Sequence, residues 1–229
     1  MNEKGFSLME LILVTLLMGM VLAGLAAFQG TLVQQRGRLI QEIMVQNQAD
    51  IARKKILAEL SEATAIASPL DLVGGIATSA NDLQGYKNVY LDPATNTYKT
   101  IDASVGMRFF RFCVNGGKLY YYWGKNAIIP PYTSPSTFPD FTITCGGGGT
   151  TTGSPVILAG GPTASFFVTY TPAAPNTRVF QRPRNNYIQV FLRVAFEAVQ
   201  DAKDKARFGA AAKIYGDVNT GASLPLATR

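Results

Sequence analysis

The stretch Lys4-Gly5-Phe6-Ser7-Leu8-Met9-Glu10, together with the charge-free run over residues 11–28, decides the fold. Counted from Phe6, the apolar stretch is 23 residues long and is interrupted by one charge, Glu10. As an α-helix it spans roughly 34 Å at about 1.5 Å per residue. A bilayer core is about 30 Å thick, so the segment is long enough to cross it with a small tilt. Thr15, Gly19 and Gly24 are residue types that membrane helices accept. Three readings compete. A secretory signal peptide would be cut near Ala26 or Ala27, but the run is long for its apolar region and carries a carboxylate. A plain signal anchor explains the length and leaves Glu10 without a role. A carboxylate costs roughly 2.5–3.5 kcal/mol near the centre of a membrane helix, less near its end. Snorkelling of Glu10 to the head groups would lower that cost.

The third reading accounts for every residue of the stretch. Lys4 to Glu10 resembles the type III signal of type IV pilins and type II secretion pseudopilins. The resemblance implies a leader, residues 1–5, that a prepilin peptidase removes by cutting between Gly5 and Phe6. It implies N-methylation of Phe6 as the new N-terminus. Glu10 then becomes the fifth residue of the mature chain, where the family carries its assembly glutamate, and Gly19 falls where many members have glycine. The family pairs that glutamate with the N-terminal ammonium of a neighbouring subunit. Buried ion pairs contribute little to stability but specify register, which a helical stack requires. Lys4, Arg36 and Arg38 give no clear vote on orientation, so a cytoplasmic N-terminus follows from the resemblance alone.

Beyond the apolar run the pattern stays helical. Leu32, Val33, Leu39, Ile40, Ile43, Met44, Ile51, Ile56, Leu57, Leu60 and Ile66 approximate an i, i+3, i+4, i+7 stripe, with charges at other positions. Ser68-Pro69 ends the segment, because a residue before proline avoids the helical region. The sequence therefore predicts one long helix to about residue 67. Residues 6–29 form a transmembrane and assembly part, and residues 30–68 an amphipathic continuation. Bending is expected near Gly30 and Gly37. The basic run Arg53-Lys54-Lys55 reads as a solvated face.

Residues 69–229 read as a β-rich head. Residues 70–100 suggest loops with one or two short strands, among them residues 86–91. Asp92, Asn96 and Asp102 do not have the spacing of an EF-hand loop and read as turn-forming side chains. Residues 107–114 and 118–124 form the clearest hairpin, joined by Asn115-Gly116-Gly117. Its aromatic residues, Phe109, Phe110, Phe112, Tyr120, Tyr121, Tyr122 and Trp123, read as a sheet packed on a helix rather than a ligand platform. Residues 130–139 read as a loop, 141–145 as a short strand and 146–153 as a glycine-rich loop without the features of a phosphate loop. Residues 165–171 and 187–198 are strand candidates. Residues 200–205 are expected to be a charged turn and 207–215 a partner strand, with a helix over 194–212 as the alternative. Cys113 and Cys145 are candidates for a disulfide if the head is exported.

The expected fold class is α+β: a long N-terminal stem helix packed on an antiparallel sheet, pilin-like. The chain has 229 residues, no histidine, 2 cysteines and a net charge of +6. Histidine-based nucleophile systems and a four-thiolate zinc site are thereby excluded. The reading is a filament subunit and not an enzyme, with no cofactor and no metal. Its layout is similar to large minor pilins and J-type pseudopilins. Implied partners are other pilin or pseudopilin subunits, the prepilin peptidase, an inner-membrane assembly platform, and membrane lipid before assembly. The implied location is a single-pass inner-membrane precursor with a periplasmic head, then a periplasmic or cell-surface filament. Two alternatives remain: a pseudopilin of a type II secretion system, and a DNA-binding minor pilin. The second rests on Arg178, Arg182 and Arg184, which lie near Phe180 and Tyr187, since basic and aromatic residues together grip single-stranded DNA.

Overall fold

The computed structural model describes residues 8–70, 78–126, 132–134, 144–147, 155–174, 177–208 and 212–225. The chain forms two compact units, Met1–Gln41 and Glu42–Arg229. Helix α1, Leu8–Ser61, supplies all described residues of the first unit and continues into the second. In the first unit its apolar side chains are exposed almost throughout. The hydroxyls in this part are turned back on the helix. Thr15 Oγ1 donates to the Ile12 carbonyl at 2.9 Å, and Thr31 Oγ1 to the Phe28 carbonyl at 2.7 Å. Back-bonding of this kind satisfies a hydroxyl where no water is available. Gly30 and Gly37 both lie inside continuous helix.

In the second unit α1 buries a seam of Val45, Ala49, Ala52, Ile56 and Leu60. The steps are four, three, four and four, which is one face of a helix. Ile56 and Leu60 of the expected stripe lie in this seam, but most of its earlier members do not. Leu39, Ile40, Ile43 and Ile51 are exposed. Small residues win the seam because they let the helix approach strand backbone closely. An added Cβ on Gly216 would lie only 3.0 Å from Val45 Cγ1 and 3.3 Å from the Val45 carbonyl oxygen.

The helix ends at Ser61, short of the expected residue 67. Thr64 takes its hydrogen bonds from tertiary partners: its N–H donates to Tyr86 O at 2.8 Å, and its hydroxyl accepts the Val89 N–H at 3.1 Å. Residues after it form β1 (Ala65–Ser68) against β3 (Asp82–Lys87), with Ala65 opposite Tyr86. A ladder of backbone bonds thus replaces the last helical turn.

Two five-stranded antiparallel sheets follow. The first runs β1-β3-β6-β7-β8, with β6 Met107–Asn115, β7 Lys118–Asn126 and β8 Val156–Ala159. The second runs β12-β11-β10-β2, with β9 also paired to β11. Its strands are β2 Thr78–Ala80, β9 Phe166–Tyr170, β10 Phe180–Arg184, β11 Tyr187–Glu197 and β12 Lys213–Ser223. A small hairpin pairs β4 (Val89–Asp92) with β5 (Thr97–Thr100). The main core joins the α1 seam to one face of each sheet, including Phe110, Phe112 and Leu119 from the first and Phe180, Ile188 and Leu192 from the second. Each such side chain contributes about 1.5–3 kcal/mol of burial. A second cluster lies on the other face of the first sheet, around Tyr86, Met107, Phe109, Cys113 and Tyr122.

The β6–β7 hairpin agrees with its sequence signal. Gly116 and Gly117 occupy φ values of +55° and +71°, the pair of left-handed residues that a tight hairpin turn needs. Residues 70–100 hold more strand than expected. The stretch 86–91 is broken at Asn88, which adopts φ 64°. Its amide locks the break by donating to Asp102 O and Gly106 O, both at 2.8 Å. Near the C-terminus the expected turn and partner strand are displaced. Residues Ala202–Phe208 form a short helix, α2, and β12 begins only at Lys213. Asp201 starts α2 by accepting the Lys203 N–H at 2.8 Å. Phe208 packs edge-on to Phe196, with ring centroids 5.7 Å apart. The 194–212 helix alternative is also displaced, because β11 extends to Glu197 in an eleven-residue ladder with β12. The expected strand over 141–145 falls partly outside the described residues; its end, Thr144–Gly147, is a turn closed by Gly147 N–H to Thr144 O at 2.9 Å. The 130–139 loop and 148–153 of the glycine-rich loop fall largely or wholly outside them.

Candidate functional sites

Glu10 sits in the first turn of α1, exposed, at the start of the apolar helix. A carboxylate there interacts favourably with the helix dipole. The helix is long and apolar enough to cross a membrane, and none of its most apolar window is buried among the described residues. Gly5 and Phe6, the expected processing residues, and the whole leader lie outside the described residues.

Cys113 and Cys145 are joined in a disulfide, with Cα atoms 6.0 Å apart. It ties β6 to the turn at residues 144–147. Asn115 Nδ2 donates to Cys145 O at 2.7 Å, and the Tyr122 hydroxyl accepts the Gly146 N–H at 2.8 Å. The bond therefore closes the second cluster from outside.

The three arginines proposed for nucleic acid do not form one surface. Arg178 and Arg184 are exposed, but Arg182 is only 3% exposed. Its guanidinium donates to Asn185 O at 2.7 Å, Pro69 O at 3.3 Å and Ile66 O at 3.4 Å. Arg182 thus joins β10 to the end of β1 and is spent on structure. This removes it from the Arg178–Arg182–Arg184 set.

The basic run on α1 divides by residue. Lys54 pairs with Asp50 at 2.6 Å on the surface. Lys55 instead pairs with Glu59 at 2.7 Å and lies 4.5 Å from the Tyr121 ring centroid. Glu59 is nearly buried and also takes Lys87 Nζ at 2.7 Å and the Tyr121 hydroxyl at 2.7 Å. Burial alone would raise the Glu59 pKa, but the hydrogen bonds from Lys55, Lys87 and Tyr121 outweigh it and hold the carboxyl below its usual value. For Lys87, burial lowers the pKa and the bonds to Glu59 and Glu62 more than restore it, so the net direction is up. Tyr121 is pushed up, first by burial and then by the Glu59 carboxylate. Sequence reasoning missed this network because its members are spread over α1, β3 and β7.

Turn chemistry explains the acidic residues near β4 and β5. Asp92 accepts the Ala94 N–H at 3.0 Å and the Thr95 hydroxyl at 3.1 Å, and pairs with Lys99. Asp102 accepts the Ser104 N–H at 2.9 Å. Asn96 holds a φ of 49° in the hairpin turn. No family model, no curated protein and no solved structure matches the chain.

Proposed function

We propose that this protein is a structural subunit of an extracytoplasmic filament of the type IV pilus class, a minor pilin, made as a membrane-anchored precursor. The observation that carries the reading is the combination within α1. Its first half is apolar and uncovered, starting with Glu10, and its second half is the core helix of a β-sheet unit. An uncovered apolar helix needs either lipid or the same helix of other subunits. Glu10 supplies the polar contact that sets the stacking register, facing the ammonium that cleavage after Gly5 would create on Phe6. The disulfide and the Glu59 network suit a domain that carries mechanical load outside the cytoplasm. A pseudopilin of a type II secretion system uses the same parts, and the two differ in the machine that assembles them.

The test is incorporation. Filaments sheared from cells carrying the wild-type chain are expected to contain it. Glu10→Leu is expected to leave the protein in the membrane fraction at normal level but remove it from filaments. Equal recovery of Glu10→Leu in filaments would contradict the role given to this carboxylate.

A further inference from the structure

The two large sheets end on strands of unequal length. β1 and β8 bound the first sheet with four residues each, and β2 bounds one side of the second with three. β12 bounds the other side with eleven. Its register with β11 runs without a bulge, and it contains no proline. Short length, bulges and prolines are the devices that keep a sheet edge from pairing with another chain. β12 has none of them.

The backbone of β11 fixes which way the groups of β12 point. Phe191 N–H donates to Val179 O at 2.7 Å, and Phe191 O accepts the Thr171 N–H at 2.9 Å, so both groups of Phe191 turn away from β12. Backbone groups alternate sides along a strand. The β12 residues opposite Phe191 and its alternate neighbours therefore carry theirs outward: Lys213, Tyr215, Asp217, Asn219, Gly221 and Ser223. None of these outward N–H and C=O groups has a partner among the described residues.

A cleft of about 330 Å³ lies between this edge and α1, lined among others by Gln46, Asp50, Arg53, Tyr215, Gly216 and Asp217. Its carboxylates are already paired. Asp50 takes Lys54 at 2.6 Å, and Asp217 takes two bonds from Arg193 at 2.6 and 2.7 Å. Arg53 is exposed and has no partner among the described residues. Gly216 presents no side chain to the cleft, so a residue opposite it on an added strand has room to reach toward Arg53. A second copy of β12 supplies no anion there. On the face toward α1 it carries Ile214, Gly216, Val218, Thr220 and Ala222, none of them acidic.

We propose that the open edge of β12 takes up an extended segment of a different protein as an added strand, with an aspartate or glutamate opposite Gly216 paired to Arg53. The added strand lies about 4.7–4.9 Å from β12 and fills the cleft. Backbone bonds to the outward residues supply affinity, and Arg53 selects the acidic side chain. The inference does not depend on how the start of the chain is processed.

The probe is a peptide of about nine residues, alternating threonine and valine with a central glutamate, beside its counterpart with a central lysine. Amide exchange is followed residue by residue by NMR on the full chain in non-ionic detergent. The glutamate peptide is expected to slow exchange at Tyr215, Asp217, Asn219 and Gly221. Gly216, Val218 and Thr220, which β11 already protects, are expected to stay as they are. Asn219→Pro removes one outward N–H and leaves the ladder with β11 intact. It is expected to weaken binding about tenfold at an unchanged thermal midpoint. Arg53→Glu lies outside the strand and is expected to invert the preference, so that the lysine peptide binds about tenfold tighter than the glutamate peptide. If the proline variant fails to fold, this inversion decides. Exchange that slows without the alternation, or not at all, would overturn the proposal, as would equal binding of the two peptides by the wild type. Alternate-residue protection that needs no peptide and grows with protein concentration would assign the edge to a second copy and overturn it too.

Discussion

Residues of one type do different work in this fold according to where the backbone puts them. Arg182 and Arg184 are two apart on β10, yet the first is buried against carbonyls and the second is exposed. Arg182→Ala would leave the Ile66 and Pro69 carbonyls short of a donor, and is expected to cost about 3 kcal/mol in chemical unfolding. Arg184→Ala should change stability by less than about 0.5 kcal/mol. Glu59 is the other decisive residue. Its folded pKa is held below the ordinary carboxylate value near 4.5, so its contribution is present above that value and is lost as pH falls through the folded pKa. Glu59→Gln removes the charge that Lys55 and Lys87 share, and is expected to cost about 3 kcal/mol at neutral pH. Thermal midpoints measured from pH 7 downward should then fall less steeply for Glu59→Gln than for the wild type. An identical acid limb in the two proteins would assign the acid sensitivity to other carboxylates.

At the scale of elements, the sequence was legible where local chemistry dictates the outcome. The β6–β7 hairpin follows from Asn115-Gly116-Gly117, whose glycines supply positive φ without strain. The turns at Asp92 and Asp102 follow from short polar side chains bonding their own backbone. Tertiary contacts decided the remainder. Residues 65–68 are strand because β3 offers them a ladder, and the α1 seam runs through Ala49 and Ala52 because strand backbone sits close at Gly216. Hydrophobicity ranking favours Ile43 and Ile51 and cannot see that constraint. Two substitutions separate the alternatives. Ala52→Leu overpacks the seam and should destabilise by about 1–3 kcal/mol, whereas Ile51→Ala on the exposed face should change the unfolding midpoint little. The disulfide is also an element-scale device, closing a separation of 32 residues. Cys113→Ser with Cys145→Ser is expected to cost about 3 kcal/mol, measured by denaturant unfolding against the oxidised wild type. The open edge of β12 was invisible in the sequence, because it exists only once the register of β11 and β12 is set.

The whole molecule combines two solvent regimes in one chain. Residues 8–41 expose an apolar helix, while residues 42–229 bury a conventional core between a helix seam and two sheets. The α+β class and the β-rich composition of the second unit were both legible, the first from the length of the helical pattern and the second from turn residues between aromatic runs. Strand order was not, since antiparallel pairing across distant segments leaves no local signature. The proposed filament role depends on processing between Gly5 and Phe6. Intact-mass measurement of the protein from its native membrane or from sheared filaments tests this most directly. The account predicts a mass lacking residues 1–5 and carrying one added methyl group on Phe6. A mass that retains the leader, or one that shows cleavage near Ala26, would contradict it.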